Sequence, residues 1–171
     1  TTNPAGLSIV VDGNTLTSPQ TFQWTLGSTH SIGVAVSPQT ATGTRHTFAN
    51  WSDGGAQTHS VTPTAATTYI ATFSSAYLLT TAASNGSVQA SPVSADGYYA
   101  SGTPVQVTAT PNSGYQFSSW TGDLTGTANP GSVTMNAPRS VTAAFTAAPQ
   151  SFTVTTNPAG LSIVVDGNTL T

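Results

Sequence analysis

The chain has 171 residues, only 4% of them charged against about 25% in an ordinary globular protein, and it contains no Lys, Glu or Cys. Its charges are Arg45, Arg139, Asp12, Asp53, Asp96, Asp123 and Asp166, too few cations to neutralise phosphates, which argues against nucleic acid or an anionic lipid surface as partner. The lack of Cys excludes disulfides and thiolate metal sites, and no apolar run approaches the roughly 18 residues of a membrane span.

The chain opens on Thr-Thr-Asn-Pro-Ala-Gly followed by Leu7-Ser8-Ile9-Val10-Val11 and Asp12-Gly13-Asn14, alternation leading into Asp-Gly, which predicts a β-hairpin with a type I′ turn. Period-two patterning predicts further strands over residues 21–26, 30–36, 45–51, 57–62 and 67–73, with a polar loop over residues 39–44. A second stretch repeats this plan in diverged form. Gly102 to Pro111 parallels Gly27 to Pro38, Phe117-Ser118-Ser119-Trp120 parallels Phe48-Ala49-Asn50-Trp51, and the strand ending at Phe145 parallels the one ending at Phe73. A short segment, Ala147-Ala148-Pro149-Gln150-Ser151, then leads into Phe152-Thr153-Val154. Residues 155–171 repeat residues 1–17 without a change, at an offset of 154. Identity at that length marks a tandem period.

The expected division is therefore a first module over residues 1–75, lacking the N-terminal strand that Phe152-Thr153-Val154 supplies to the next period, a second over residues 76–149, and the first strands of the next repeat over residues 150–171. No segment carries a helical period, and Thr, Val, Ser and Gly are poor helix formers. The expected fold is all-β, a tandem of small Ig-like β-sandwich modules with no helix. Phe48, Trp51, Phe73, Phe117, Trp120 and Phe145 are expected to form the structural core.

The second module resembles the divergent internalin-B-type bacterial repeat over residues 77–146. The resemblance lies in Gly102-Thr103-Pro104-Val105, Ala109-Thr110-Pro111, Gly114-Tyr115-Gln116-Phe117, Trp120-Thr121-Gly122-Asp123, Asn129-Pro130, Val133-Thr134-Met135 and the closing Arg139-Ser140-Val141-Thr142-Ala143-Ala144-Phe145. The first module is a weaker match, keeping Phe48, Trp51, Asp53 and the closing strand but carrying Val36-Ser37-Pro38 and His46-Thr47 in place of two motifs. Its hairpin also resembles the short Pro-Glu-Gly-Ala-type surface repeat, without that motif itself. The resemblance implies repeats that serve as spacers, stalks or adhesive arrays of a large secreted or surface-anchored bacterial protein. Better-characterised internalin repeats are similar to a β-grasp fold with a helix, so the all-β expectation here rests on the strand pattern.

Candidates for chemistry are sparse. His30, His46 and His59 all fall in the first module, and a Ser/His/Asp set can be drawn around His46, His59 and Asp53, but the second module has no His and the same plan. The aspartates are scattered singly, as turn residues are, and not clustered as calcium requires. No catalytic role, cofactor or metal is expected. Trp24, Tyr98 and Tyr99 lie outside the core motif and are candidate glycan contacts, with Tyr98 and Tyr99 on opposite strand faces.

These readings predict a non-enzymatic structural repeat protein of an extracellular filament, stalk or cell-surface adhesin. Its partners are copies of itself, head to tail, joined covalently or by strand addition through the segment that starts at Phe152 and ends at Thr171. The alternative is a carbohydrate-binding accessory module of a secreted enzyme.

Overall fold

The computed structural model describes residues 1–170, and among them there are sixteen strands and no helix. The first hairpin is decided locally. β2 (Ser8–Val11) pairs with β3 (Asn14–Thr17), and the connecting Asp12 and Gly13 both take positive φ, 47° and 81°, as a type I′ turn requires. The repeated residues make the same hairpin again, β15 (Ile163–Val165) on β16 (Asn168–Leu170), with Asp166 at 50° and Gly167 at 78°. Its environment differs: Ile9 and Val11 are buried, whereas Val165, the counterpart of Val11, is 37% exposed and β15–β16 is a two-stranded sheet by itself. The turn is thus written into the hairpin, and its burial is not. Thr171, the last residue of the expected strand-adding segment, lies outside the described residues.

In the first part of the chain β4 (His30–Gly33) and β7 (Thr58–Val61) join the first hairpin in a four-stranded sheet of order β3-β2-β4-β7. Ile9, Val11, Ile32, Val34 and Val61 from these strands and the chain beside them pack against Trp51, Ala71 and Phe73. Those three stand on the facing sheet, built from β1 (Thr2–Asn3), β5 (Gln39–Ala41), β6 (Thr44–Trp51) and the start of β8 (Ala71–Ala83).

The second part repeats the scheme with β9 (Gly86–Ser91), β10 (Tyr98–Ala100), β11 (Thr103–Pro111), β12 (Tyr115–Gly122), β13 (Gly131–Met135) and β14 (Arg139–Ala147). The sheet β13-β11-β9 supplies Val105, Val107, Ala109, Val133 and Met135 to a second core, which Leu79, Tyr99, Trp120, Val141 and Ala143 complete from the facing sheet.

A shared irregularity explains the Phe-x-x-Trp pattern. Residues three apart on a regular strand point to opposite faces. In β6 the register shifts between Phe48 and Asn50, and in β12 between Phe117 and Ser119. Each bulge adds one residue and returns the Trp to the face of its Phe. Phe48 then meets Phe73 edge-on at 5.9 Å and Phe117 meets Phe145 at 6.1 Å, while Trp51 and Trp120 are buried. Their indole N–H groups donate to Gln57 O and Ala128 O, so neither buried indole donor is left unsatisfied. Phe48, Phe117 and Phe145 are half-buried on the same cores.

Several expected strands are shorter, absent or displaced. Residues 21–26 form no strand, residues 30–36 form one only over His30–Gly33, and the expected loop over residues 39–44 contains β5. Gln39 replaces a backbone partner there, its side-chain amide exchanging hydrogen bonds with Ser8 N and Ser8 O. The strand expected over residues 67–73 begins at Ala71 and continues to Ala83, so the division expected between Ser75 and Ala76 falls inside β8.

That strand binds both cores. β6 pairs antiparallel with its first half and β14 parallel with its second, in a sheet of order β12-β14-β8-β6-β5. Replacing Ala76, which faces Arg45 of β6 and Ala100 of β10, by Pro removes a backbone donor from mid-strand. In the parent chain, hydrogen-exchange protection of β6 and β14 is expected to be lost together on adding denaturant. In Ala76→Pro the two should separate, with β6 opening at lower denaturant.

Candidate functional site

Chemistry-bearing side chains gather in three places: where β8 passes between the two cores, at two Asp–His pairs, and beside Thr1. At the first, the end of the β5–β6 hairpin reaches onto the second core. Gly43 takes φ 69°, its carbonyl accepts from Leu78 N at 2.9 Å, and a Cβ at this position would press on Pro138. Arg45 of β6 lies over the Tyr98 ring, 3.6 Å from its centroid, and pairs with Asp96. Asp96 also accepts from Tyr98 N and Ser94 Oγ, each at 3.1 Å. The Arg45 hydrogen bond, then the Tyr98 amide, hold the Asp96 carboxyl down at about 2. One of the two cations of the chain is therefore spent on joining its two halves.

The other cation stays within the second core. Arg139 donates to Asp123 Oδ1 at 3.2 Å and to Asn136, and Asp123 Oδ2 accepts from Ser140 N at 2.7 Å. That backbone bond, helped by Arg139, lowers the Asp123 carboxyl. Asp53 similarly accepts from Gly55 N at 3.1 Å, bridging its own turn.

The Ser/His/Asp set drawn around His46, His59 and Asp53 is not assembled. His59 Nε2 lies 3.0 Å from Asp53 Oδ2 and its Nδ1 2.8 Å from Ala56 O, so both ring nitrogens are occupied. His46 instead faces Ser75 Oγ at 2.9 Å.

A different trio is assembled, one that sequence reading missed: His30 Nδ1 is 2.8 Å from Asp12 Oδ2, and its Nε2 is 2.8 Å from Ser28 Oγ. The available signal was Ser28-x-His30, two residues apart in an extended segment and so on one face, with Asp12 in the turn of the neighbouring hairpin. The Ser28 hydroxyl also donates to Thr25 O at 2.6 Å, a shorter bond that diverts its proton from the imidazole. The hydrogen bond from His30, then the Ser31 amide, lowers the Asp12 carboxyl. Together they tie the first turn to β4.

The third place is a cavity of about 540 Å³ beside Thr1, bordered by Ile32, Trp51, Phe22, Trp24 and residues 67–69. Trp24 stacks on His30, with centroids 4.0 Å apart and planes at 5°, and on Phe22 at 5.4 Å. Of the candidate glycan contacts, Tyr99 must be withdrawn: it is buried, with its hydroxyl donated to Pro92 O, because alternation turns it into the second core. Tyr98 carries Arg45 on its ring, and Trp24 borders the cavity.

Residues 77–149 match the family model of the divergent InlB B-repeat domain, a repeat of bacterial surface proteins, in agreement with the resemblance seen in the sequence. No curated protein and no solved structure matches the chain. Among the described residues no helix is long and apolar enough to cross a membrane.

The Arg45–Asp96 contact gives the junction a definite acid response. A carboxyl lowered by folding contributes stability above its unfolded value of 3.8, and that contribution is lost as pH falls through the folded value of about 2. A thermal unfolding series from pH 5 to pH 2 should show melting temperature falling below pH 4. Asp96→Asn should start lower at pH 5 and fall less steeply, and an NMR titration should place the Asp96 midpoint near 2.

Proposed function

We propose that this chain is a structural segment of a bacterial extracellular filament, stalk or surface adhesin, non-catalytic, whose task is to span distance. Two immunoglobulin-like β-sandwich modules, residues 1–75 and 76–149, make one period, and residues 150–171 begin the next. The observation that carries this reading is β8. Thirteen residues of one strand pass from one core to the other, about 43 Å at the usual rise per residue. The connection is a backbone ladder and not a linker, so bending between the two cores requires breaking hydrogen bonds.

The match to a surface-repeat family and the unchanged recurrence of residues 1–17 support a tandem arrangement. Each core is small, and small domains without disulfides are marginal. In a repeat array, neighbours supply the missing burial. Residues 148–153 are in no strand, and Pro149 among them has no donor for a ladder.

The carbohydrate-binding alternative draws less support. Of its three aromatics only Trp24 borders the cavity.

Electron microscopy of the native cell-surface material should show fibres with an axial repeat corresponding to one 154-residue period. Scattered single globules would overturn the reading. With so little charge, lateral bundles of such fibres should persist when salt rises from about 0.1 to 1 M, a change that shortens electrostatic reach from about 10 to 3 Å. Turbidity that vanished over this range would count against it.

A further inference from the structure

Tension along a repeat chain is carried by the strands on which the chain enters and leaves each core. In the second core these are β8 and β14. The chain arrives from the first core along β8 and departs towards residue 148 along β14. The two strands are neighbours and run parallel, with Leu79 opposite Arg139, Thr80 opposite Ser140, Thr81 opposite Val141, Ala82 opposite Thr142 and Ala83 opposite Ala143.

Direction decides how such a ladder responds to pulling. In a parallel pair the two strands begin at the same end, so the entry point in β8 and the exit point of β14 lie at opposite ends of the ladder. A pull on these points slides the strands lengthwise past each other and loads every rung together. In an antiparallel pair, entry and exit would share one end and the rungs would open one after another. Parallel rungs are also evenly spaced, which spreads the load along the ladder.

β14 is held against sliding by more than β8. On its other side it pairs with β12, from Gly122 opposite Val141 to Tyr115 opposite Ala147, so it must slip past two neighbours. Asp123 accepts from Arg139 and Ser140 N with its two carboxylate oxygens, and its own N–H donates to Ser140 O, which pins the start of the strand. Further along, Phe145 packs edge-on against Phe117, and beside its ring lies Gly86, the first residue of β9, where a Cβ would collide with it. Between these points Val141 and Ala143 are buried. The first core follows the same scheme, β1 pairing parallel with Ala71 and Thr72. β8 is therefore the exit strand of one core and the entry strand of the next.

We propose that the β8–β14 pair is a mechanical clamp: the second core bears tension along the array by shear of this ladder, and keeps its fold under pulling forces that would open it from another direction. This deepens the array reading and rests on it for the direction of the load. Forced unfolding is governed by the barrier to opening and not by equilibrium stability. A core of marginal stability in solution is then strong along one axis.

The chain has no Cys, so handles can be attached at chosen residues. Ser74→Cys with Gln150→Cys grips a full-length chain at opposite ends of the ladder, Ser84→Cys with Gln150→Cys grips it at one end, and all three positions are exposed. Pulled in optical tweezers at one speed, the first pair should unfold the second core at roughly twice the force of the second pair or more. The ladder and the core are the same in both, so only the direction of the load differs. Ala82→Pro added to the first pair removes a backbone donor at an exposed residue opposite Thr142, and should lower its force by about a third or more. Similar forces for the two pairs, or a force indifferent to Ala82→Pro, would overturn the clamp. The array reading would survive either result, because the axial spacing of the native fibres decides it. Fibres without that spacing would remove the array and leave the force ratio standing.

Discussion

Everything in this molecule depends on the backbone pairing of β8. Its first residues complete the sheet over Trp51 and Phe73, and its last open the sheet over Trp120 and Val141. Neither core can shift along the strand without breaking ladder bonds and turning side chains to the wrong face, since sheet register alternates with every residue. The Arg45 contact with Tyr98 and Asp96 and the seat of Gly43 against Leu78 then restrict rotation about the strand.

With so few charges, the fold uses neutral groups where many proteins use ion pairs. The Gln39 amide takes the place of a strand beside Ser8, and the Asn129 amide does the same at Ala109, donating to its carbonyl and accepting from its N–H. Such side chains occupy backbone groups that a sheet edge would otherwise present to another chain. The aspartates that do occur are mostly held locally, by His30, His59, Arg45 and Arg139. The surface is left with almost no long-range field, and recognition falls to shape, strand edges and apolar side chains.

The sequence was most legible where structure is local. Asp12-Gly13 specified its turn twice over in different surroundings, and the absence of helical periodicity agreed with a chain of strands. The Phe-x-x-Trp motifs pointed to core residues, but the bulges that place both rings on one face have no period-two signature. Where pairing with a distant segment decides the outcome, alternation misled. Residues 21–26 have strand patterning and lack a partner, and Tyr98-Tyr99 divides between an Arg45 contact and the core. The assembled Asp12–His30–Ser28 trio was hidden for the same reason, since Asp12 reaches His30 only once β2 pairs with β4.

The two arginines have a consequence outside folding. With no Lys in the chain, the bonds after Arg45 and Arg139 are the sole cleavage points for a trypsin-like protease. Arg45 and His46 face both β5 and β8, and Arg139 and Ser140 lie in the ladder with β8. Such enzymes need a stretch of chain freed from its neighbours, so digestion must wait for a core to open. Resistance to a trypsin-like protease is thereby set by how readily the sheets come apart.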